Sequence, residues 1–302
     1  MTPTTLRIGT RRSALATAQA DLVAQLLRTQ GLDAQLVPIT TSGDEGAPAD
    51  ASPQGLKGLW IDKIVDALRH GEIDVAVHSA KDLPAEDEED LVLGAVPWRA
   101  DPTDVVVLRD ADELKPGMVV GTSSVRRKAQ LLASFPGVGV TDLRGNVDTR
   151  LRKVARGTVD AAVLAAAGLA RLGLEPTPIR RLSLEEMVPA PGQGCLAIQC
   201  RAEDRTTRAR LQPLDHRPSH LALDAERALM RRLGGGCALP LGAIAAVKGD
   251  TVRLVGLVAA PDGAEVIRAA ADARDPEHAA ERVAERLVDQ GARRILAEVR
   301  AS

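Results

Sequence analysis

Two stretches of this chain repeat one another, and that repeat limits the fold more than any other feature. Gly71-Glu72-Ile73-Asp74-Val75-Ala76-Val77-His78-Ser79-Ala80-Lys81-Asp82-Leu83 aligns with Gly157-Thr158-Val159-Asp160-Ala161-Ala162-Val163-Leu164-Ala165-Ala166-Ala167-Gly168-Leu169, with six of thirteen positions identical. Each copy follows a stretch of helical spacing and reads as helix, glycine, buried strand. Strands alternating with helices argue for α/β layers, so the repeat predicts two similar α/β lobes. The copies differ in their polar residues: Lys81 and Asp82 in the first are Ala167 and Gly168 in the second. The polar pair is therefore an addition to the scaffold and not part of it.

The flanking pattern agrees. Leu6-Arg7-Ile8-Gly9 reads as a strand running into Thr10-Arg11-Arg12-Ser13 and then a helix with Leu15, Leu22, Val23, Leu26 and Leu27 on one stripe. Residues 34–39 predict a strand, 41–58 a long loop without apolar period, and 61–69 a helix. The second lobe begins near Val105-Val106-Val107-Leu108, and Met118-Val119-Val120-Gly121 feeds Thr122-Ser123-Ser124, a helix N-cap. Pro97 to Pro102 and Pro189-Ala190-Pro191-Gly192-Gln193-Gly194 read as two crossings of a hinge. From about Asp215 the order becomes helix, strands (Ala243 to Val247, Val252 to Leu257) and a last helix, capped by Asp275-Pro276, with Ala280, Val283, Ala284, Leu287 and Val288 on its core face. The expected domains are residues 1–97 with 194–213, residues 98–193, and residues 214–302.

Phe135, Trp60 and Trp98 are the whole aromatic inventory, so Ala, Val and Leu must fill the cores. So few aromatics argue against a stacking platform for single-stranded nucleic acid, and a net charge of −2 against a bulk basic binder. Cys195, Cys200 and Cys237 are odd in number and lack metal-ligand spacing, which points to a reducing cytoplasm with neither a disulfide framework nor a metal. The N-terminus has no signal-peptide core and no run reaches membrane-spanning length.

Arginines carry the strongest chemical signal. Arg11 and Arg12 stand at one strand-to-helix turn, and Arg126 and Arg127 in the first turn of another helix, where the helix dipole disfavours cations by roughly 0.3–1 kcal/mol each. Solvated faces would tolerate this singly, but two doublets at equivalent turns suggest anion sites. Arg144, Arg150 and Arg171 add guanidinium forks suited to carboxylates. No G-x-x-x-x-G-K-[ST] loop is present, which argues against a nucleoside triphosphate. Asp82, beside Lys81 after a buried strand, reads either as a cap or surface ion pair or as a carboxylate that stabilises a passing cation or exchanges a proton. Cys237 follows Gly234-Gly235-Gly236 at the end of a helical run. It reads either as a small buried thiol at a flexible helix end or as a thiol that glycines leave room beside, or bring backbone close to.

Seven segments in order resemble the porphobilinogen deaminase (hydroxymethylbilane synthase) family. They are Leu6-Arg7-Ile8-Gly9-Thr10-Arg11, Lys57-Gly58-Leu59, His78-Ser79-Ala80-Lys81-Asp82-Leu83-Pro84, Gly121-Thr122-Ser123-Ser124-Val125-Arg126-Arg127, Leu143-Arg144-Gly145-Asn146, Gly192-Gln193-Gly194 and Gly235-Gly236-Cys237. The resemblance implies an α/β enzyme of two periplasmic-binding-protein-like lobes with a hinge, plus a smaller α+β C-terminal domain. It implies stepwise head-to-tail condensation of four porphobilinogen molecules, with release of ammonia at each step, to the linear tetrapyrrole hydroxymethylbilane. The growing chain would be built on a dipyrromethane cofactor held by a thioether, which falls on Cys237. Asp82 would be the catalytic carboxylate that stabilises cationic azafulvene-type intermediates. Arg11, Ser13, Gln19, Ser79, Lys81, Thr122, Ser124, Arg126, Arg127, Arg144, Arg150 and Arg171 would bind cofactor and substrate carboxylates, and Lys57 and Trp60 would belong to an active-site loop. The protein is then a cytoplasmic monomer with no nucleic-acid, membrane or metal partner. Pro53 stands where a lysine is usual, and Arg12 and Ala14 where other residues are common, so Arg12 is left out of the site. The competing readings are a non-enzymatic two-lobed binding protein for a polyanionic small molecule, which leaves Gly235-Gly236-Cys237 unexplained, and an arginine-rich RNA binder.

Overall fold

A computed structural model describes residues 5–40, 62–86, 88–235 and 239–301. The chain divides into two compact units: Met1–Arg99 with Cys195–His220, and Ala100–Gly194 with Leu221–Ser302.

The first unit holds a five-stranded sheet of order β2-β1-β3-β10-β4, made of β1 (Leu6–Arg11), β2 (Ala34–Ile39), β3 (Val75–Ser79), β4 (Leu91–Ala95) and β10 (Leu196–Arg201). Strand β1 runs parallel to β2 and β3, and β10 antiparallel to β3 and β4. Helix α1 (Ala14–Thr29) is capped by Ser13, whose side chain accepts from the Ala16 amide, and α2 spans 62–69. The core joins Leu6, Ile8, Val75, Val77, Leu196 and Ile198 to Val23 and Leu27 of α1. Ala20 and Ala24 are also buried on that helix, whereas Leu22 is 38% exposed. The expected stripe is thus rotated: small alanines face the sheet and let the helix approach closely.

The second unit repeats the plan. Strands β5 (Asp104–Leu108), β6 (Val119–Gly121), β7 (Gly139–Thr141), β8 (Ala161–Ala165) and β9 (Ile179–Arg181) form a sheet of order β7-β6-β8-β5-β9. Strand β6 is parallel to β7 and β8, and β5 antiparallel to β8 and β9, as in the first sheet. Helices α3 (Val125–Ser134), α4 (Val147–Ala155) and α5 (Ala166–Arg171) complete this lobe.

The repeated residues do the same work in both lobes. The Asp74 amide donates to Arg7 O at 2.9 Å while its carboxylate accepts from the Arg7 amide at 2.9 Å. Asp160 pairs with Val119 in the same two ways, at 2.9 and 2.8 Å. Each aspartate thereby locks the entry of its strand to the parallel neighbour. Gly71 and Gly157 share left-handed φ values of 70° and 72°, which glycine adopts without steric cost.

The second unit also contains a three-stranded antiparallel sheet, β11 (Leu241–Lys248), β12 (Thr251–Ala259) and β13 (Val266–Ala273), with α8 (Pro276–Asp289) and α9 (Ala292–Ala301). Helices α6 (Arg205–Leu211) and α7 (Arg217–Arg232) precede it in sequence, and α7 belongs to this unit from residue 221. Ala129 of α3 and Val188 pack against Ile244, Leu257 and Ala259, which binds the small sheet to the lobe. Buried Glu226 adds two hydrogen bonds, accepting from the Gly192 amide at 2.6 Å and the Ala245 amide at 2.7 Å. Strand β13 and helix α9 are absent from the sequence reading, because Ala269, Ala270 and Ala271 carry little β signature. In the first unit Trp98 is 77% exposed and lies against His216, with ring centroids 4.2 Å apart.

Candidate functional site

In the first unit, the ends of β1 and β3 and the start of α1 surround one pocket. Its polar lining is Arg11, Ser13, Gln19, His78, Ser79 and Asp82, against Leu15, Ala16, Ile64 and Val77. Arg11 is the last residue of β1 and Ser13 the N-cap of α1. Buried Gln19, one turn into the helix, donates to Ser79 Oγ at 2.8 Å. Asp82 ends the 3-10 turn Ala80–Asp82 that follows β3, and the Ala80 amide donates to Cys195 O at 3.1 Å, which fixes the turn to β10. Lys81 lies on the same turn but is not among the residues lining this pocket.

His78 is a pocket residue that the sequence reading passed over. It is buried, and burial pushes its pKa down to about 4, against the opposing pull of a hydrogen bond with Gln199 and the charge of Asp82. The imidazole is therefore neutral at pH 7 and leaves the Asp82 charge unneutralised from that side. His78 Nε2 and Gln199 Oε1 are both buried without a hydrogen bond of strict geometry. They sit diagonally on the β3–β10 ladder, where His78 pairs with Ala197 and Ala76 with Gln199, so a weak Nε2–H to Oε1 bond accounts for both.

In the second unit the corresponding turn carries cations. Thr122 is buried and its Oγ1 accepts from the Ser124 amide at 3.2 Å; Ser124 caps α3 by accepting from the Arg127 amide at 3.4 Å. Arg126 and Arg127 are buried in the first turn of α3, and both reach Asp104, the first residue of β5. Arg127 gives Asp104 Oδ1 two bonds, at 2.7 and 3.2 Å, and Arg126 lies 2.9 Å from Oδ2. Gln193 donates to Oδ1 as well, at 2.9 Å. Burial alone would raise the Asp104 pKa, but the two guanidinium charges and the bonds from Arg127 and Gln193 hold it far below the usual carboxylate range. Asp104 was not legible as a site residue: before Val105-Val106-Val107 it looks like an ordinary strand entry.

Arg150 donates to Gly145 O at 2.8 Å, and burial and the nearby Arg127 charge lower its pKa. Arg144 is exposed and pairs with Asp142 at 2.8 Å, and Arg171, ending α5, donates to Gly194 O at 2.7 Å. Lys57, Trp60 and Cys237 lie outside the described residues. Cys195 and Cys200 are buried, and burial raises the Cys200 thiol to about 11, far from a reactive thiolate. Among the described residues no cluster of His, Cys, Asp and Glu could hold a metal ion, and no helix is long and apolar enough to cross a membrane.

At the end of α7, Gly234 and Gly235 serve close packing. Gly234 takes a left-handed φ of 67° at the end of α7, and Arg300 donates to the Leu233 and Gly234 carbonyls at 2.9 and 2.8 Å. A side chain on Gly235 would collide with the Met230 carbonyl.

Comparison with known proteins resolves the family. Residues 6–209 match the family model "Porphobilinogen deaminase, dipyromethane cofactor binding domain", and residues 220–289 match "Porphobilinogen deaminase, C-terminal domain". The chain belongs to the porphobilinogen deaminase family. The porphobilinogen deaminase of Brevibacillus brevis is 45% identical, over 97% of each chain. Those of Pelobacter propionicus (44%, over 99% of this chain and 98% of that one) and Desulforudis audaxviator (46%, over 97% of each) are equally near. A periplasmic substrate-binding protein of an ABC transporter from Coxiella burnetii is 15% identical over 74% of this chain and 96% of its own, with a TM-score of 0.43. Membership in the porphobilinogen deaminase family bears out the transferase reading over the non-enzymatic binding protein. It also makes dipyrromethane the resident cofactor. The donor set suits that group: guanidiniums, hydroxyls and helix amides for its carboxylates, and a carboxylate for its pyrrole N–H groups.

Proposed function

We propose that this chain is a hydroxymethylbilane synthase that joins four porphobilinogen molecules head to tail, with loss of ammonia at each step. The reading is carried by Asp82: of two lobes with the same strand order, one bears a carboxylate at this strand end, within a pocket that also holds Arg11, where the other has Gly168.

When bound, the dipyrromethane supplies the terminal pyrrole carbon to which the first porphobilinogen is joined. Arg11, Ser13, Gln19, Ser79 and Lys81 in the first lobe, and Thr122, Ser124, Arg126, Arg127, Arg144, Arg150 and Arg171 in the second, hold the acetate and propionate groups of cofactor and substrate. Each porphobilinogen brings two carboxylates, so elongation needs many guanidinium partners. Asp82 orients pyrrole N–H groups and stabilises the cation left on the incoming porphobilinogen as its C–N bond breaks and ammonia departs. A unit charge about 4 Å away is worth about 4 kcal/mol at an effective dielectric constant near 20. Neutral His78 excludes a competing positive charge from that wall of the pocket. Cys237 carries the cofactor through a thioether, and Lys57 and Trp60 are further residues of the active site. The protein works as a cytoplasmic monomer of three domains, residues 1–97 with 194–213, 98–193 and 214–302.

The intact mass of the purified protein tests this reading. The expected result is an excess of two linked pyrrole units that disappears in Cys237→Ser, with ammonia released from porphobilinogen only by the loaded form. A wild type that is active without any excess mass would overturn the cofactor assignment.

A further inference from the structure

The two lobes share strand order and strand pairing, and three coupled differences between them single out Asp104. Strand β3 pairs Ser79 with Leu196, and its counterpart β8 pairs Ala165 with Asp104, so Leu196 and Asp104 are equivalent. Helices α1 and α3 align through their caps Ser13 and Ser124 and through buried Gln19 and Gln130. Leu15 and Ala16 then stand where the second lobe has Arg126 and Arg127. The first lobe folds with Leu, Leu and Ala at these three places. A buried carboxylate is therefore not required by the architecture, and it occurs together with the arginine pair.

We infer that Asp104 is a positioning residue that sets the Arg126 and Arg127 guanidiniums in the geometry that receives substrate and cofactor carboxylates. The three side chains are each under 8% exposed and carry one net positive charge among them. Asp104 takes Arg127 through Nε and one terminal nitrogen, the Val163 carbonyl takes the other at 3.0 Å, and the Val188 carbonyl takes Arg126 at 2.6 Å. Gln193 bridges Asp104 Oδ1 to the Pro102 carbonyl, at 2.9 and 2.8 Å, and so fixes the carboxylate in turn. Long, flexible guanidinium arms held this way meet an anion without first being ordered.

The inference rests on the reading of the chain as a hydroxymethylbilane synthase, which the wild type tests alone: failure to release ammonia from porphobilinogen would remove that reading before any variant is made. On an active wild type, Asp104→Asn distinguishes positioning from charge. Removing a carboxylate makes the site more positive, so a purely electrostatic role predicts a lower KM for porphobilinogen. Positioning predicts a KM raised by about 10- to 100-fold, with a smaller change in kcat and a lower fraction of protein carrying the cofactor mass. Gln193→Met then loosens the carboxylate without altering any charge, and is read whether or not Asp104→Asn folds. The expected result is a KM raised several-fold and reduced cofactor mass, with kcat nearly unchanged. An unchanged KM and full cofactor occupancy in folded Gln193→Met, or a lowered KM in folded Asp104→Asn, overturns the inference.

Discussion

Replacing His78 by Gln should remove one identifiable proton from the stability curve. In the folded protein burial pushes this imidazole down to about 4, whereas in an unfolded chain it titrates near 6.5. Between those values the unfolded state binds more protons than the folded one, so stability rises with pH across that window and is flat above it. Taking the two pKa values together, the folded state loses about 2 kcal/mol from this group on going from pH 7 to pH 5. Glutamine keeps a polar side chain able to pair with Gln199 but cannot titrate. Urea unfolding of wild type and variant, followed by far-UV circular dichroism at pH values from 5 to 7.5, would report the difference, because groups common to both proteins cancel. The stability gap should narrow or reverse by about 2 kcal/mol towards pH 5. Parallel curves would refute a neutral, buried His78, and with it the claim that Asp82 faces no positive charge from β3.

Two further outcomes follow from the same geometry. Asp82→Ala should cut ammonia release by at least about 100-fold while leaving the fold and the cofactor mass intact, since one fixed charge near a developing cation is worth that much; near-normal turnover would displace Asp82 from its role. Gly235→Ala should lower stability by about 1–3 kcal/mol, seen as a reduced Tm, because the added carbon meets the Met230 carbonyl and the backbone must shift; an unchanged Tm would mean that the close approach is not needed.

Much of the scaffold was legible because its signals are local. The repeated Gly-x-x-Asp frame, the caps Ser13, Ser124 and Asp275, and the valine run at 105–107 each state a backbone preference in adjacent residues. Strand β13 was hidden because alanine has no strong preference and takes its conformation from β12 beside it. The α1 stripe was right at Val23 and Leu27 but wrong at Leu22, which is exposed while the smaller Ala20 and Ala24 face the sheet and allow close packing. At the site, Asp82 and Arg11 were legible from their neighbours in sequence. Asp104 and His78 were not, because what defines them is contact across the fold: Asp104 lies 22 and 23 positions from the arginines it holds, and His78 is neutral only through burial by other strands and helices.

The exposed stack of Trp98 on His216 has a consequence for anyone following this protein spectroscopically. With no tyrosine in the chain, Trp98 is the one indole among the described residues, and it lies at the surface. Its emission is that of a water-facing fluorophore before unfolding as well as after. The Trp98 contribution to a fluorescence melt would therefore report on residues 98 and 216, and not on the alanine, valine and leucine interiors of the described residues.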